Sequence, residues 1–190
     1  RAPGVASSGA SPLRRRRGPR TRSAVLVGHY SSAFVGKALA PRTPLWVLFV
    51  AAQLVDVAWS LFVLAGLERF SLDPRLPSNP LVLEHMPFTH SLLASFAWGA
   101  LAGLVVSRVE VLGGSARAGL VTGAVVVSHW ALDLVVHRPD LTLAGGGEKL
   151  GWALWNRPAL ALTVELALLA AAAAFWAARS GASAAARRAT

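Results

Sequence analysis

The 190-residue chain contains no cysteine. Disulfides are excluded, and so are thiolate metal sites. Charge is scarce: only 15% of residues are charged, while 54% are hydrophobic. Several apolar runs reach the ~20 residues that a helix needs to cross a bilayer. Composition therefore predicts an integral membrane protein. There is no self-similarity at a period of ~20–50 residues, which sets repeat architectures aside. Acids are outnumbered, nine against nineteen Lys and Arg, but the excess is uneven: seven Arg fall within residues 1–22, before any apolar run. A basic end beside a membrane segment reads first as a topology signal that stays on the cytoplasmic side and attracts anionic lipid. It is a weak nucleic-acid signal, and no nucleic-acid partner is expected. The segment after the arginines carries His29 and Lys37 and no small-residue cleavage pattern, so it is not read as a signal peptide.

What is present is a row of apolar segments. Residues 1–22, rich in Arg, Pro, Gly and Ser, are expected to be disordered. Residues 23–178 form the membrane domain, and 179–190 a loose basic tail. The first segment, 23–40, is short and polar enough either to span or to dip in and return. Residues 44–67 read as a span, with Pro44 suited to the first turn. Residues 68–87, broken by Pro74, Pro77, Pro80 and Pro87, read as a loop. Residues 88–107 are the next span, with Thr89 as N-cap and His90 in the first turn. Residues 117–137 and 158–178 are the last two. Ser95, Gly99 and Gly103 in one helix, and Gly119 and Gly123 in the next, offer small-residue packing faces. The triplet Gly145-Gly146-Gly147 reads as a flexible turn rather than a phosphate cradle, because no strand precedes it. Trp152 and Trp155 suit a membrane interface. The fold class is thus an all-α integral membrane bundle of four to five transmembrane helices, multi-pass in the cytoplasmic (inner) membrane. The distribution of Lys and Arg mildly favours four spans.

The stretch that organises the chain is Ser128 to Asp140. On a helix, His129, Asp133 and His137 fall on one stripe, since positions four apart share a face. Asp56 lies halfway along an apolar helix, where an unpaired acid is expensive. If segments one and two form a hairpin about Pro41, His29 and Asp56 reach nearly equal depth at ~1.5 Å per residue. His90 starts its helix on the same side. Five spans, or a deep re-entrant first helix, then gather His29, Asp56, His90, His129 and Asp133 into one layer opening towards the cytoplasm. Imidazoles with carboxylates suit one or two divalent metals, zinc or manganese among them. Such an ion activates water for hydrolysis. Glu165, well inside the last span, and His137 are the candidate catalytic acid–base groups. Arg138 suits a phosphate or an anionic lipid, or snorkels to the interface.

The pattern Gly28-His29, Asp56 within a helix, Thr89-His90-Ser91 and Ser128-His129-x-x-x-Asp133 resembles the bacterial inner-membrane metal-dependent hydrolases, whose namesake is LexA-regulated. The resemblance covers about residues 27 to 140 and, more loosely, extends to 178. It implies His29, Asp56, His90, His129 and Asp133 as the ligand set, and a hydrolase activity. The chain departs from the family pattern in two places. Leu54-Val55-Asp56-Val57-Ala58 lacks the family's proline and second acid, and His85-Met86-Pro87-Phe88 replaces its His-Arg-Gly. The substrate expected of a site inside the bilayer is a lipid or a phosphate ester, with membrane lipids as partners. Two other classes compete: a proton- or ion-coupled transporter, disfavoured because no internal repeat is found, and a scaffold whose polar residues only knit helices together.

Overall fold

The computed structural model describes residues 27–188; the basic segment expected to be disordered, 1–22, lies outside them. The chain is helical in its bulk. Helix α1 is Tyr30–Leu39, preceded by a 3₁₀ turn at Val27–His29; α2 is Leu45–Leu64, α3 Leu92–Arg108, α4 Ala116–Val136 and α5 Pro158–Arg188. Among the described residues three stretches are long and apolar enough to cross a membrane: Leu45–Leu64, Ala116–Val136 and Pro158–Gly181, with mean hydropathies of 2.1, 1.7 and 2.0. At 17 residues α3 is shorter, and α1, with 10, covers about half a bilayer's depth. The last helix continues through Arg188 instead of ending at 178, because the Ala- and Arg-rich segment has high helix propensity.

Local chemistry sets the helix ends. Ser91 and Ser115 accept hydrogen bonds from the amides of Ala94 and Ala118, capping α3 and α4. The cap of α3 is therefore Ser91, not Thr89, and His90 lies just before the helix rather than in its first turn. Pro44 precedes α2, and α2 ends at Ala65 with Gly66 at φ +73°.

Residues 68–87 are not a plain loop. They contain an antiparallel hairpin of β1, Arg69–Leu72, and β2, Leu81–His85, pairing Phe70 with Leu83 and Leu72 with Leu81. Pro74, Pro77 and Pro80 sit in the connection, where no ladder N–H is needed. In that connection Asp73 is hydrogen-bonded by the Arg75 guanidinium, which holds its carboxyl down to about 2. The 138–157 segment lies against this hairpin. Leu141 bridges Leu150, Ser91 bridges Thr142, and Lys149 donates to the carbonyls of Leu83, Glu84 and Asp140.

Helices α3 and α4 run antiparallel with their backbones in near contact. A Cβ on Gly103 would lie 2.7 Å from the Gly119 carbonyl oxygen, and one on Gly99 2.8 Å from that of Gly123. The small-residue faces read from the sequence do meet. One apolar cluster joins Leu48, Ala51, Ala52 and Val55 of α2 to Ala33 of α1 and Val125 and Val126 of α4. A second joins Leu83 of β2 to Met86, Trp130 and Leu141. His129 lies in sequence between Val126 of the first and Trp130 of the second, so the bundle core and the hairpin cap enclose it. Large apolar side chains cover the outside of the helices, Trp46, Val50, Leu61, Phe96, Leu120 and Leu166 among them.

Candidate metal centre

Four elements deliver the polar layer. The turn before α1 brings His29, α2 brings Asp56, the segment before α3 brings His90, and α4 brings His129 and Asp133. All but Asp56 are buried; the Asp56 side chain is 27% exposed and forms the open edge. The α4 stripe ends on His137, at the helix C-cap.

Distances confirm convergence. His29 Nε2 lies 3.0 Å from Asp133 Oδ1. His129 Nε2 is 3.2 Å from Asp133 Oδ2 and 3.5 Å from Asp56 Oδ1. His90 Nε2 is 3.4 Å from Asp56 Oδ1 and 3.7 Å from Asp133 Oδ2. His137 Nε2 is 3.5 Å from Asp133 Oδ1. Two triads, His29/His129/Asp133 and Asp56/His90/His129, each offer ligand atoms within 4.8 Å of one another, and they share His129. A buried His/Asp group of this kind can hold a metal ion.

The outer hydrogen bonds decide which imidazole nitrogen is free. A carbonyl only accepts, so His129 Nδ1–H donates to Ala52 O at 2.8 Å, leaving Nε2 as the nitrogen that faces the carboxylates. The Thr89 hydroxyl donates to Glu68 Oε2 at 2.6 Å, so it accepts from His90 Nδ1–H at 2.9 Å. His137 Nδ1–H donates to Asp140 Oδ1 at 3.1 Å. Three rings are thus held with Nε2 facing two carboxylates, the arrangement that orients imidazoles on metals. A lone pair facing a carboxylate is unfavourable unless a proton or a cation lies between them. Two atoms at the centre, His129 Nε2 and Asp133 Oδ2, are buried with no aligned hydrogen bond among the described residues. That donor set fits a divalent cation.

The structure thus brings His29, Asp56, His90, His129, Asp133 and His137 together. Glu165 lies outside both triads. Its carboxylate accepts from the Gly28 amide at 3.3 Å, and its Cγ would be 2.9 Å from a Cβ on Gly28. It fixes the turn carrying His29. Arg138 reaches Asn156 Oδ1 and the Asn79 carbonyl, tying the hairpin connection to the segment before α5. Trp155 is buried against His137, with ring centroids 4.0 Å apart, whereas Trp152 is 72% exposed. Of the two expected interface anchors, only Trp152 is exposed.

Glu68 is the residue that sequence reasoning passed over. It is 1% exposed and accepts from the amides of Phe88 and Thr89 as well as from the Thr89 hydroxyl. The available signal was an acid just past the end of an apolar helix. Comparison of the chain with protein-family models, curated proteins and solved structures gives no match.

Proposed function

We propose that this chain is a membrane-embedded, metal-dependent hydrolase of the bacterial cytoplasmic membrane, acting on a lipid or a phosphate ester. The apolar helix exteriors support placing the α2–α5 bundle across the bilayer, with α1 as a half-depth helix. The observation that carries the reading is the set of three imidazoles whose Nδ1 atoms are occupied from behind while their Nε2 atoms face Asp133, those of His90 and His129 facing Asp56 as well.

His29, Asp56, His90, His129 and Asp133 would hold the ion, zinc or manganese, which supplies Lewis-acid polarisation of a carbonyl or phosphoryl oxygen. The chain's own groups do the rest. Asp56, at the open edge, is where substrate meets the cluster. His137, held at Nδ1 by Asp140, offers Nε2 as the base that takes a proton. Glu165 acts on His29 through Gly28 and is a positioning residue. Trp130, Met86 and Leu141 exclude water from the cap side.

The test is metal analysis of protein purified from membranes, followed by hydrolysis assays on phospholipid and phosphate-ester panels. Wild type should carry zinc or manganese in stoichiometric amount, and His129→Ala and Asp133→Ala should lose it. Wild type that stays metal-free after incubation with either ion overturns the proposal.

A further inference from the structure

A second polar site lies at the other end of the bundle. A cavity of about 390 Å³ is lined by Lys37 of α1, Arg117 of α4 and Arg179 of α5, together with Trp176 and Pro41. Three helices each contribute one cation, Arg179 having further contacts of its own, and among the described residues no acidic side chain lines the space. Lys37 donates to the carbonyls of Pro41 and Thr43, both at 2.8 Å, which pins it at the α1–α2 turn and leaves one of its three donors. Lys37 lies eight residues past His29 and Arg117 twelve before His129, so the cavity is roughly 12–18 Å along the helices from the cluster.

An apolar groove of about 580 Å³ lies between the same three helices. Its walls include Val35, Val121, Leu168 and Phe175. Val121 is one helical turn from Arg117, and Phe175 one turn from Arg179, whose guanidinium lies 5.9 Å from the Phe175 ring centre. The groove therefore leads from the basic cavity towards mid-depth. A cationic mouth, a tryptophan at its rim and an apolar channel behind it match the division of an anionic phospholipid into head group and acyl chain.

We propose that this cavity and groove hold an anionic phospholipid, with its phosphate among Lys37, Arg117 and Arg179 and one acyl chain between α1, α4 and α5. The site rests on the membrane placement of the bundle and is independent of the chemistry of the His/Asp cluster. Its bound lipid bridges the half-length α1 to α4 and α5, and so holds the helix that follows the His29 turn.

The experiment titrates full-length protein in neutral detergent micelles with fluorescent phosphatidylglycerol, fluorescent phosphatidylcholine and inorganic phosphate. The arginines of residues 1–22 add a preference common to every variant, so differences from wild type are read. Phosphatidylglycerol should bind at least roughly tenfold more tightly than phosphatidylcholine, the size expected for several basic groups on one anionic head group. Arg117→Gln/Arg179→Gln should lose most of that preference, while Arg117→Lys/Arg179→Lys retains it. A glutamine variant that keeps the wild-type preference overturns the proposal, as does complete displacement of the lipid by millimolar phosphate. Should the glutamine variant not fold, acyl-brominated phosphatidylglycerol decides: it must quench wild type more than Trp176→Phe, and equal quenching sinks the site.

Discussion

Glu68→Gln is a one-atom change that should act on the metal centre without touching it. In the wild type, Glu68 Oε1 accepts the Phe88 and Thr89 amides at 2.8 and 3.0 Å, and Oε2 accepts the Thr89 hydroxyl at 2.6 Å. Glutamine keeps the oxygen for the two amides and places an NH₂ against the hydroxyl. That group donates, so the hydroxyl must turn its proton elsewhere. The only other partner it has among the described residues is His90 Nδ1, at 2.9 Å. His90 then accepts at Nδ1 and carries its proton at Nε2, the nitrogen facing Asp56 and Asp133. A protonated nitrogen cannot ligate. Loss of an outer partner of a metal-bound histidine typically costs 10–100-fold in affinity, about 1.4–2.7 kcal/mol. Both amide bonds survive, so the unfolding temperature should change little. The assay is competitive zinc titration against a chromophoric chelator in detergent. Thr89→Val breaks the same relay, so Glu68→Gln/Thr89→Val should be no worse than the poorer single variant. Wild-type affinity in Glu68→Gln, or strict additivity in the double variant, would refute the relay.

Other changes separate packing from chemistry. A Cβ on Gly119 would lie 2.5 Å from the Gly103 carbonyl oxygen, backbone that cannot rotate away. Gly119→Val should therefore destabilise the α3–α4 pair by at least about 1–3 kcal/mol, read as a lower unfolding temperature with residual metal binding in the folded fraction. Asp140→Asn should leave metal content near wild type but slow hydrolysis roughly 10–100-fold, because His137 loses its charged anchor. Glu165→Gln, which keeps an acceptor for the Gly28 amide, should be milder than Glu165→Ala in both metal content and rate. A Gln variant as damaged as the Ala variant would give Glu165 a chemical role instead of a positioning one.

The α4 stripe was legible because His129, Asp133 and His137 share one helix and period. The small-residue faces of α3 and α4 were legible for the same reason. Placing His29 at the depth of Asp56 took an argument about a hairpin at Pro41, and in the structure His29 also lies beside Asp133, 104 residues away. The hairpin was hidden: β1 is exposed along its whole length, so it carries no alternation of buried and exposed residues, and the prolines obscure the rest. Glu68 was hidden with it, since Thr89 comes within reach only once that hairpin folds back. The end of α5 was missed for a different reason: hydropathy stops where a membrane would, but helix propensity does not.

The cluster must be neutralised, since a buried carboxylate and a half-buried one side by side cannot stand alone in an apolar bundle. Two protons on the imidazoles would balance the charge, and so would one divalent ion, so charge counting does not separate a scaffold from a metal centre. Geometry does. Proton-mediated imidazole–carboxylate pairs close to about 2.7–2.9 Å with aligned donors. Five of the six Nε2–carboxylate distances in the layer are 3.2–3.7 Å, and His129 Nε2 and Asp133 Oδ2 are misaligned for hydrogen bonding. Only His29 to Asp133, at 3.0 Å, approaches a hydrogen-bonded pair. Several donors around a common gap at this spacing suit an ion between them better than protons along each edge. In metal-free protein the protons must nonetheless be present, and binding must expel them. Calorimetric titration with zinc in buffers of different ionisation enthalpy should show release of about two protons per ion, with affinity falling as the solution is acidified. Binding without proton release would mean that the ion sits elsewhere, leaving the histidines as helix-knitting groups.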